Sequence, residues 1–398
     1  MHPRSRRITP FILGSLGVLA LLGCSSSDSH YGPSSSYLVN GIAVADLDAN
    51  GLPDILGLVS TDFDGASSQG YVSTRLQSTA GAFVMPTRFG VGRGPANLVA
   101  TDVNTDGRPD LVVANAYDQT VTVRLADPAR PGYFLPAIVL TTPGRTPLDV
   151  AVGDLNGDGK MDIVVAASGA NSVLVFTQGA VGTFNAPVAY AVGGDPQAVT
   201  VADLDGNGFA DLAVATTANT VSVLLQTSAG VFAPAVDYAT GVQPIAIKAA
   251  DLNGDGKLDL LTANYGATLS PGTQGLSVLF QGAPGTFAAP VHYTTDYRSA
   301  ALAVGDLNGD GKPDVAVANA GLPGFPGSVS VLLQSPTTPG ALAVAVNYTG
   351  VWGPLGVAIA DMDGDGRPDL VLADGDIVVR LNDGPTAGTF GPPRFFYN

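Results

Sequence analysis

The sequence predicts an all-β protein, a seven-bladed β-propeller built from four-stranded antiparallel blades. Three observations carry that prediction. A ten-residue motif rich in Asp and Gly recurs seven times, its copies starting 48 to 56 residues apart. Self-similarity at such a period marks a repeat architecture. Each copy sits in the same series of short Val, Ala, Leu and Ile runs bounded by Gly, Asn and Asp, which is a strand-and-turn pattern. Composition argues against helices: 51 Gly and 29 Pro make up a fifth of the 398 residues, and all 34 acidic residues are Asp. Asp is poor in helix interiors and favoured in turns.

The N-terminal element reads as an address. Arg4, Arg6 and Arg7 precede an apolar run at 8–23 that is 16 residues long, short of the roughly 20 needed to span a bilayer, so residues 1–23 are expected to be a signal peptide. The run ends in Leu21, Leu22, Gly23 and Cys24, the single cysteine of the chain. This resembles the lipobox of bacterial lipoproteins. The resemblance implies a lipidated Cys24 and a lipid anchor in the bacterial cell envelope; Ser25 in place of Asp implies the outer membrane. A chance cysteine after an ordinary signal peptide is the alternative, but a lone Cys at this position has no disulfide partner to explain it. Residues 24–36 then form the lipidated Cys and a Ser-rich tether, and membrane contact is through the N-terminal lipid alone. Residues 37–398 are left for the propeller.

The seven motifs begin at Asp46, Asp102, Asp154, Asp203, Asp251, Asp306 and Asp361. Position 1 is Asp, position 6 Gly and position 9 Asp in every copy, while positions 3 and 5 are Asp or Asn. Before each motif runs a strand A ("LDVAVGD", "QAVTVAD"). After it come strand B ("DIVVAA", "DVAVAN"), strand C ("SVLVFTQ", "SVSVLLQ") and a fourth segment typified by "GTFNAPVAYAVG" at 182–193. Four short strands per repeat are the cue for a propeller blade. The residue before each first Asp is small (Ala, Thr or Gly), as suits an innermost strand crowded around an axis. Strand B is apolar on both faces, as expected between neighbouring blades. In repeat 6, "GALAVAVNY" at 340–348 lacks the Phe and Pro of the other copies, so its outer strand is the least defined by sequence.

Oxygen side chains at positions 1, 3, 5 and 9 around a turn-making Gly follow the first half of an EF-hand loop, D-x-[DN]-x-[DN]-G, closed early by Asp. The candidate metal ligands are Asp46, Asp48, Asn50 and Asp54; Asp102, Asn104, Asp106 and Asp110; Asp154, Asn156, Asp158 and Asp162; Asp203, Asp205, Asn207 and Asp211. They continue as Asp251, Asn253, Asp255 and Asp259; Asp306, Asn308, Asp310 and Asp314; Asp361, Asp363, Asp365 and Asp369. Hard oxygen donors without His or Cys favour Ca²⁺, up to seven ions. The loops hold 22 of the 34 aspartates, and two carboxylates ~4 Å apart repel by up to roughly 4 kcal/mol at an effective dielectric of 20. Metal-free Asx-turns are the alternative. Loops 1 and 4, with Asn50 and Asn207 at position 5, are expected to bind most weakly.

These repeats resemble the FG-GAP/VCBS propeller family, related to the propeller of integrin α subunits. The resemblance spans the chain beyond the tether and implies a propeller with calcium loops on its β-hairpins. The Phe-Gly element is loose, since glycine follows Phe390 but not Phe184, Phe232 or Phe287.

Strand alternation places the acidic A–B loops on one face of the disc, and the B–C and D–A connections on the other. The longer B–C loops of blades 1, 5 and 6 and the D–A turns bring Phe63, Tyr265, Tyr297, Arg298, Phe325 and Trp352 to that opposite face. They form a candidate patch for a protein or glycan ligand, and the integrin resemblance implies use of the same face. A formal charge of −16 speaks against nucleic acid. His2 and His30 precede the propeller, leaving His292 alone in it, so no nucleophile–His–acid set is legible and catalysis is not expected. Two acidic pairs, Asp62 with Asp64 and Asp374 with Asp376, read as turn residues. Lys248 stands in strand A of blade 5 where other repeats carry Ala, Val or Thr; a partner Asp or a channel ligand would each explain it. The reading is thus a membrane-anchored binding module. The alternatives are a propeller enzyme acting on polysaccharide and a structural envelope protein.

Overall fold

A computed structural model describes residues 37–61, 69–266, 275–322, 324–384 and 386–396. The expected signal peptide, Cys24, the tether, Phe63 and the Asp62–Asp64 pair lie outside these residues. Within them the chain forms seven four-stranded antiparallel sheets, each from contiguous sequence. In blade 3 the strands are Thr146–Gly153, Asp162–Ser168, Ser172–Phe176 and Val188–Ala191, in that order from the axis outward. The innermost strands, from Tyr37–Ala45 in blade 1 to Gly356–Ala360 in blade 7, contact one another in sequence order, and the last contacts the first. That closes a seven-bladed propeller.

The hydrophobic core is divided into seven wedges, one between each pair of adjacent blades. Alternation along strand B produces this division. In Asp110–Asn115, Leu111 and Val113 pack toward blade 1 while Val112 and Ala114 pack toward blade 3. Every residue of that strand is buried, which is why it reads as a continuous apolar run rather than an alternating one.

Blades also join at the rim. Tyr190, Tyr238 and Tyr348 on outer strands meet Phe232, Phe287 and Phe390 of the next blade edge to face, with centroids 5.0 to 5.4 Å apart. Their hydroxyls donate to the carbonyls of Gly230, Gly285 and Gly388. In blade 6 the slot of the phenylalanine is taken by Leu342, which pairs with Gln334 as Phe287 does with Gln281. The outer strand there, Val346–Val351, is intact and the longest of the seven despite its irregular sequence.

In blades 1 to 6 the innermost strand carries a β-bulge near its start. The extra residues are Asn40, Ala96, Leu148, Gln197, Ile245 and Ala300, and all six line a central cavity.

Candidate functional site

Each acidic loop is a compact hairpin between strands A and B. Gly at position 6 adopts φ between +80° and +88° in all seven loops, a left-handed conformation that a side chain resists. Position 4 is also left-handed: five loops have Gly there, and loops 1 and 2 hold Ala49 and Thr105 at φ 59°. The position-1 carboxylate closes the turn. In loop 3, Asp154 accepts hydrogen bonds from the backbone N–H groups of Gly157, Asp158 and Gly159 at 2.7 to 3.2 Å. Position 3 accepts the amide of position 5, as Asn156 does from Asp158 at 2.9 Å.

Position 5 sits at the solvent-facing rim. Asp106, Asp158, Asp255 and Asp365 pair with the Arg or Lys at position 7 at 2.6 to 3.5 Å. Hydrogen bonds from Lys160 and Arg367 hold the Asp158 and Asp365 carboxyls below the usual carboxylate range.

Position 9 is different: it is buried in every loop and uses both oxygens on backbone. In blade 4, Asp211 accepts the amides of Leu204 and Gln226 at 2.7 and 2.6 Å; Asp369 does the same with Met362 and Asn382, both at 2.7 Å. Burial pushes Asp54, Asp211, Asp259 and Asp369 up to about 6. The same cause raises Asp110, Asp162 and Asp314.

In five blades the residue clamped by position 9 is itself a clip to the preceding blade. Gln281 donates from its side-chain amide to Leu204 O of the preceding blade at 2.6 Å, Gln334 to Leu252 O at 2.6 Å, and Asn382 to Leu307 O at 2.7 Å. Sequence reasoning passed over these residues, although the recurrent Gln closing "VFTQ" and "LLQ" signalled them. A glycine N–H crosses the same interfaces: Gly81 to Met362 O, Gly285 to Leu204 O and, in blade 2, where Ala126 has no side-chain amide to donate, Gly132 to Leu47 O at 3.0 Å. The acidic loops are therefore part of the blade interfaces.

The donor set fits a divalent cation best where three carboxylates converge. One oxygen each from Asp46, Asp48 and Asp54, from Asp203, Asp205 and Asp211, and from Asp361, Asp363 and Asp369 lies within 4.8 Å of the others. Opposite ligands of one Ca²⁺, each at about 2.3–2.6 Å, are separated by a similar distance. A carboxylate oxygen that accepts one amide keeps a second lone pair. Loops 1, 4 and 7 are thus acidic clusters able to hold a metal. The order expected from position 5 alone, with loops 1 and 4 last, is not the order of carboxylate convergence: loops 1, 4 and 7 are the three with Asp at position 3, whereas Asp106, Asp158, Asp255 and Asp365 at position 5 pair with a cation.

On the opposite face the structure gathers the patch residues in pairs. Tyr265 lies under the Arg298 guanidinium, 5.5 Å from its centroid. Phe325 and Trp352 are 67 % and 49 % exposed and are joined through Gly327 N–H, which donates to Trp352 O at 2.8 Å. Tyr297 is half-buried and its carbonyl accepts Gly321 N–H at 3.2 Å. Asp374, a member of one acidic pair, is buried and accepts the amides of Trp352 and Gly353 at 2.6 to 3.0 Å, so it anchors the Trp352 turn. Desolvation pushes it up to about 6. His292 is half-buried with Nδ1 3.0 Å from Ser277 Oγ, and burial lowers its pKa. Lys248 is exposed within the central cavity, which it lines with Asp149 and Arg298.

A propeller whose every blade carries an acidic Gly hairpin defines a class of repeat protein, and the comparisons agree with it. The FG-GAP-like repeat matches residues 102–165, 154–214 and 203–262. The FG-GAP repeat matches 245–280 and 300–332, so that together they cover just over half of the chain. The chain belongs to the FG-GAP repeat family. No curated protein matches it in sequence. Among solved structures it resembles BBS1N in complex with ARL6DN, soaked with mercury, at 12 % identity and a TM-score of 0.55, covering 88 % of this chain and 94 % of that one. The lead-soaked form of the same complex matches at 13 % identity and 0.55, covering 89 % and 95 %. At this identity the likeness is one of fold.

Proposed function

We propose that the chain is a non-enzymatic binding module, lipid-anchored through Cys24 in a bacterial outer membrane, that takes a protein or glycan partner on the face opposite the acidic loops. Calcium in those loops, loops 1, 4 and 7 first, stabilises the blade interfaces. The observation that carries the reading is the exposed Trp352 on a turn held by the buried Asp374, with the exposed Phe325 on the neighbouring loop that Gly327 N–H ties to Trp352 O. Large aromatic rings presented to solvent on a rigid turn are what recognition surfaces use. That BBS1N, a fold relative, is found in complex with ARL6DN supports the protein-binding form.

The test is a glycan-array screen of residues 25–398 with Trp352→Ala and Phe325→Ala alongside, in millimolar calcium and in EDTA. Binding to a defined sugar class that both variants lose, with Tm changed by less than about 2 °C, supports a lectin-like module. A blank array directs the search to protein partners by crosslinking on cells. Partner capture unaffected by either variant overturns the assignment of this face.

A further inference from the structure

The axis of the propeller is hollow. Above the middle lies a cavity of about 790 Å³, and below it one of about 630 Å³; the first falls within the roughly 300–1,000 Å³ typical of small-molecule sites. Its wall is mixed, with an apolar part from Ile42, Leu98, Ile245 and Leu302 and a polar part from Asn40, Gln197 and Thr200.

Three charged side chains line the upper cavity: Asp149, Lys248 and Arg298. Asp149 is spoken for. Its carboxylate accepts hydrogen bonds from Asn97 Nδ2, from Val150 N–H at 2.8 Å and from Val199 N–H at 2.9 Å. Lys248 is not. It lines both cavities and so stands between them. No carboxylate lies within 4.0 Å of its ammonium among the described residues, although it acts on Asp149 electrostatically. The corresponding residues of the other innermost strands are Ala43, Val99, Ala151, Thr200, Ala303 and Ala358, so repeat geometry does not require a lysine there. At the mouth, Arg298 is held at φ 58° over Tyr265, and its Nε is buried without a hydrogen-bond partner. Two cations against one satisfied carboxylate leave the lining of the upper cavity with a net positive charge, inside a chain of charge −16, whereas the lower cavity adds Asp251.

We propose that the central channel is a binding site for a small organic anion with an apolar body, whose carboxylate rests on the Lys248 ammonium and which enters past Arg298 and Tyr265. The apolar part of the wall takes the body of the ligand. The two cations select for the charge, and Asp149 fixes the polar edge of the wall. This site is separate from the Phe325–Trp352 surface and does not depend on the reading of that surface.

Isothermal titration of the full chain with 2-naphthoate, and with the uncharged 2-naphthamide, tests it. The expected result is one naphthoate per chain, with the amide bound at least about tenfold more weakly. Lys248→Met loses a comparable factor, Lys248→Arg retains binding, and Arg394→Gln, on the outer strand of blade 7, is unchanged. Equal affinity for acid and amide overturns the proposal, as does undiminished binding by Lys248→Met or the absence of saturable naphthoate binding. The acid–amide comparison needs no variant, so it decides the matter even if a substitution impairs folding.

Discussion

Thr105 shows how a single residue departs from what its loop demands. Five of the seven loops place Gly at position 4, where the backbone is left-handed, and loop 2 forces a β-branched side chain into φ 59°. Such a conformation costs about 1–2 kcal/mol for a residue other than Gly. Thr105→Gly is therefore expected to stabilise the protein by roughly 0.5–1 kcal/mol after the entropy of the added glycine is deducted, read as an upward shift of the denaturant midpoint. The buried position-9 aspartates also cost stability at neutral pH, here by their charge. With Asp54, Asp211, Asp259 and Asp369 raised to about 6, above the roughly 3.9 of an unfolded Asp, folding favours their protonated form. The stability they contribute is complete below about pH 4 and is lost as pH rises through about 6. In EDTA, Tm is expected to fall by about 5 °C or more between pH 5 and 7, and millimolar calcium to suppress that fall. A flat profile in EDTA would show that backbone donors fully offset burial.

Between residues and ring stands the blade, whose fourth segment latches onto its neighbour. Phe287 is buried against Tyr238 of blade 4, and Leu342 occupies the equivalent slot of blade 6. A slot that already accepts leucine elsewhere in the same molecule is tolerant of shape but not of emptiness. Phe287→Leu is expected to cost about 1 kcal/mol and Phe287→Ala about 3 kcal/mol in denaturant unfolding. Equal losses would mean that the edge-to-face ring contact, rather than volume, governs the slot.

Across the whole molecule, the ring closes without exchanging a strand. Blade 1 and blade 7 are each complete in themselves, so their seam is the one interface with no covalent connection between the blades it joins. It is held by Val39 N–H to Gly375 O at 3.0 Å, by Gln77 and Gly81 donating to Met362 O, and by a wedge containing Ile55, Val371 and Ile377. The other six interfaces have comparable wedges plus a linking chain, which limits how far they part. Local opening should therefore begin at the seam. Native-state hydrogen exchange is expected to be faster at Val39 and Gly81 than at Gly132, Gly230 and Gly285, which donate across equivalent interfaces. Uniform protection would indicate a ring that opens only as a unit.

The sequence by itself determined the number of blades, the four-strand order and the position of every acidic loop. Each of those follows from local chemistry repeated seven times: Asp and Asn for side-chain-capped turns, Gly for left-handed backbone, apolar runs for strands buried on both faces. It also marked Lys248 as out of place, since a charge in an otherwise Ala, Val or Thr position is visible without coordinates. Only the tertiary structure decided which carboxylates converge, because positions 1, 3, 5 and 9 look equivalent on paper. The fold buries position 9 beneath two amides and leaves position 5 beside a cation. Tertiary structure likewise decided that Asp374 supports Trp352, 22 residues away, and that Asp149, Lys248 and Arg298, from three blades, share one cavity. Contacts between repeats depend on the angle at which one blade meets the next, and that angle is written in no single stretch of chain.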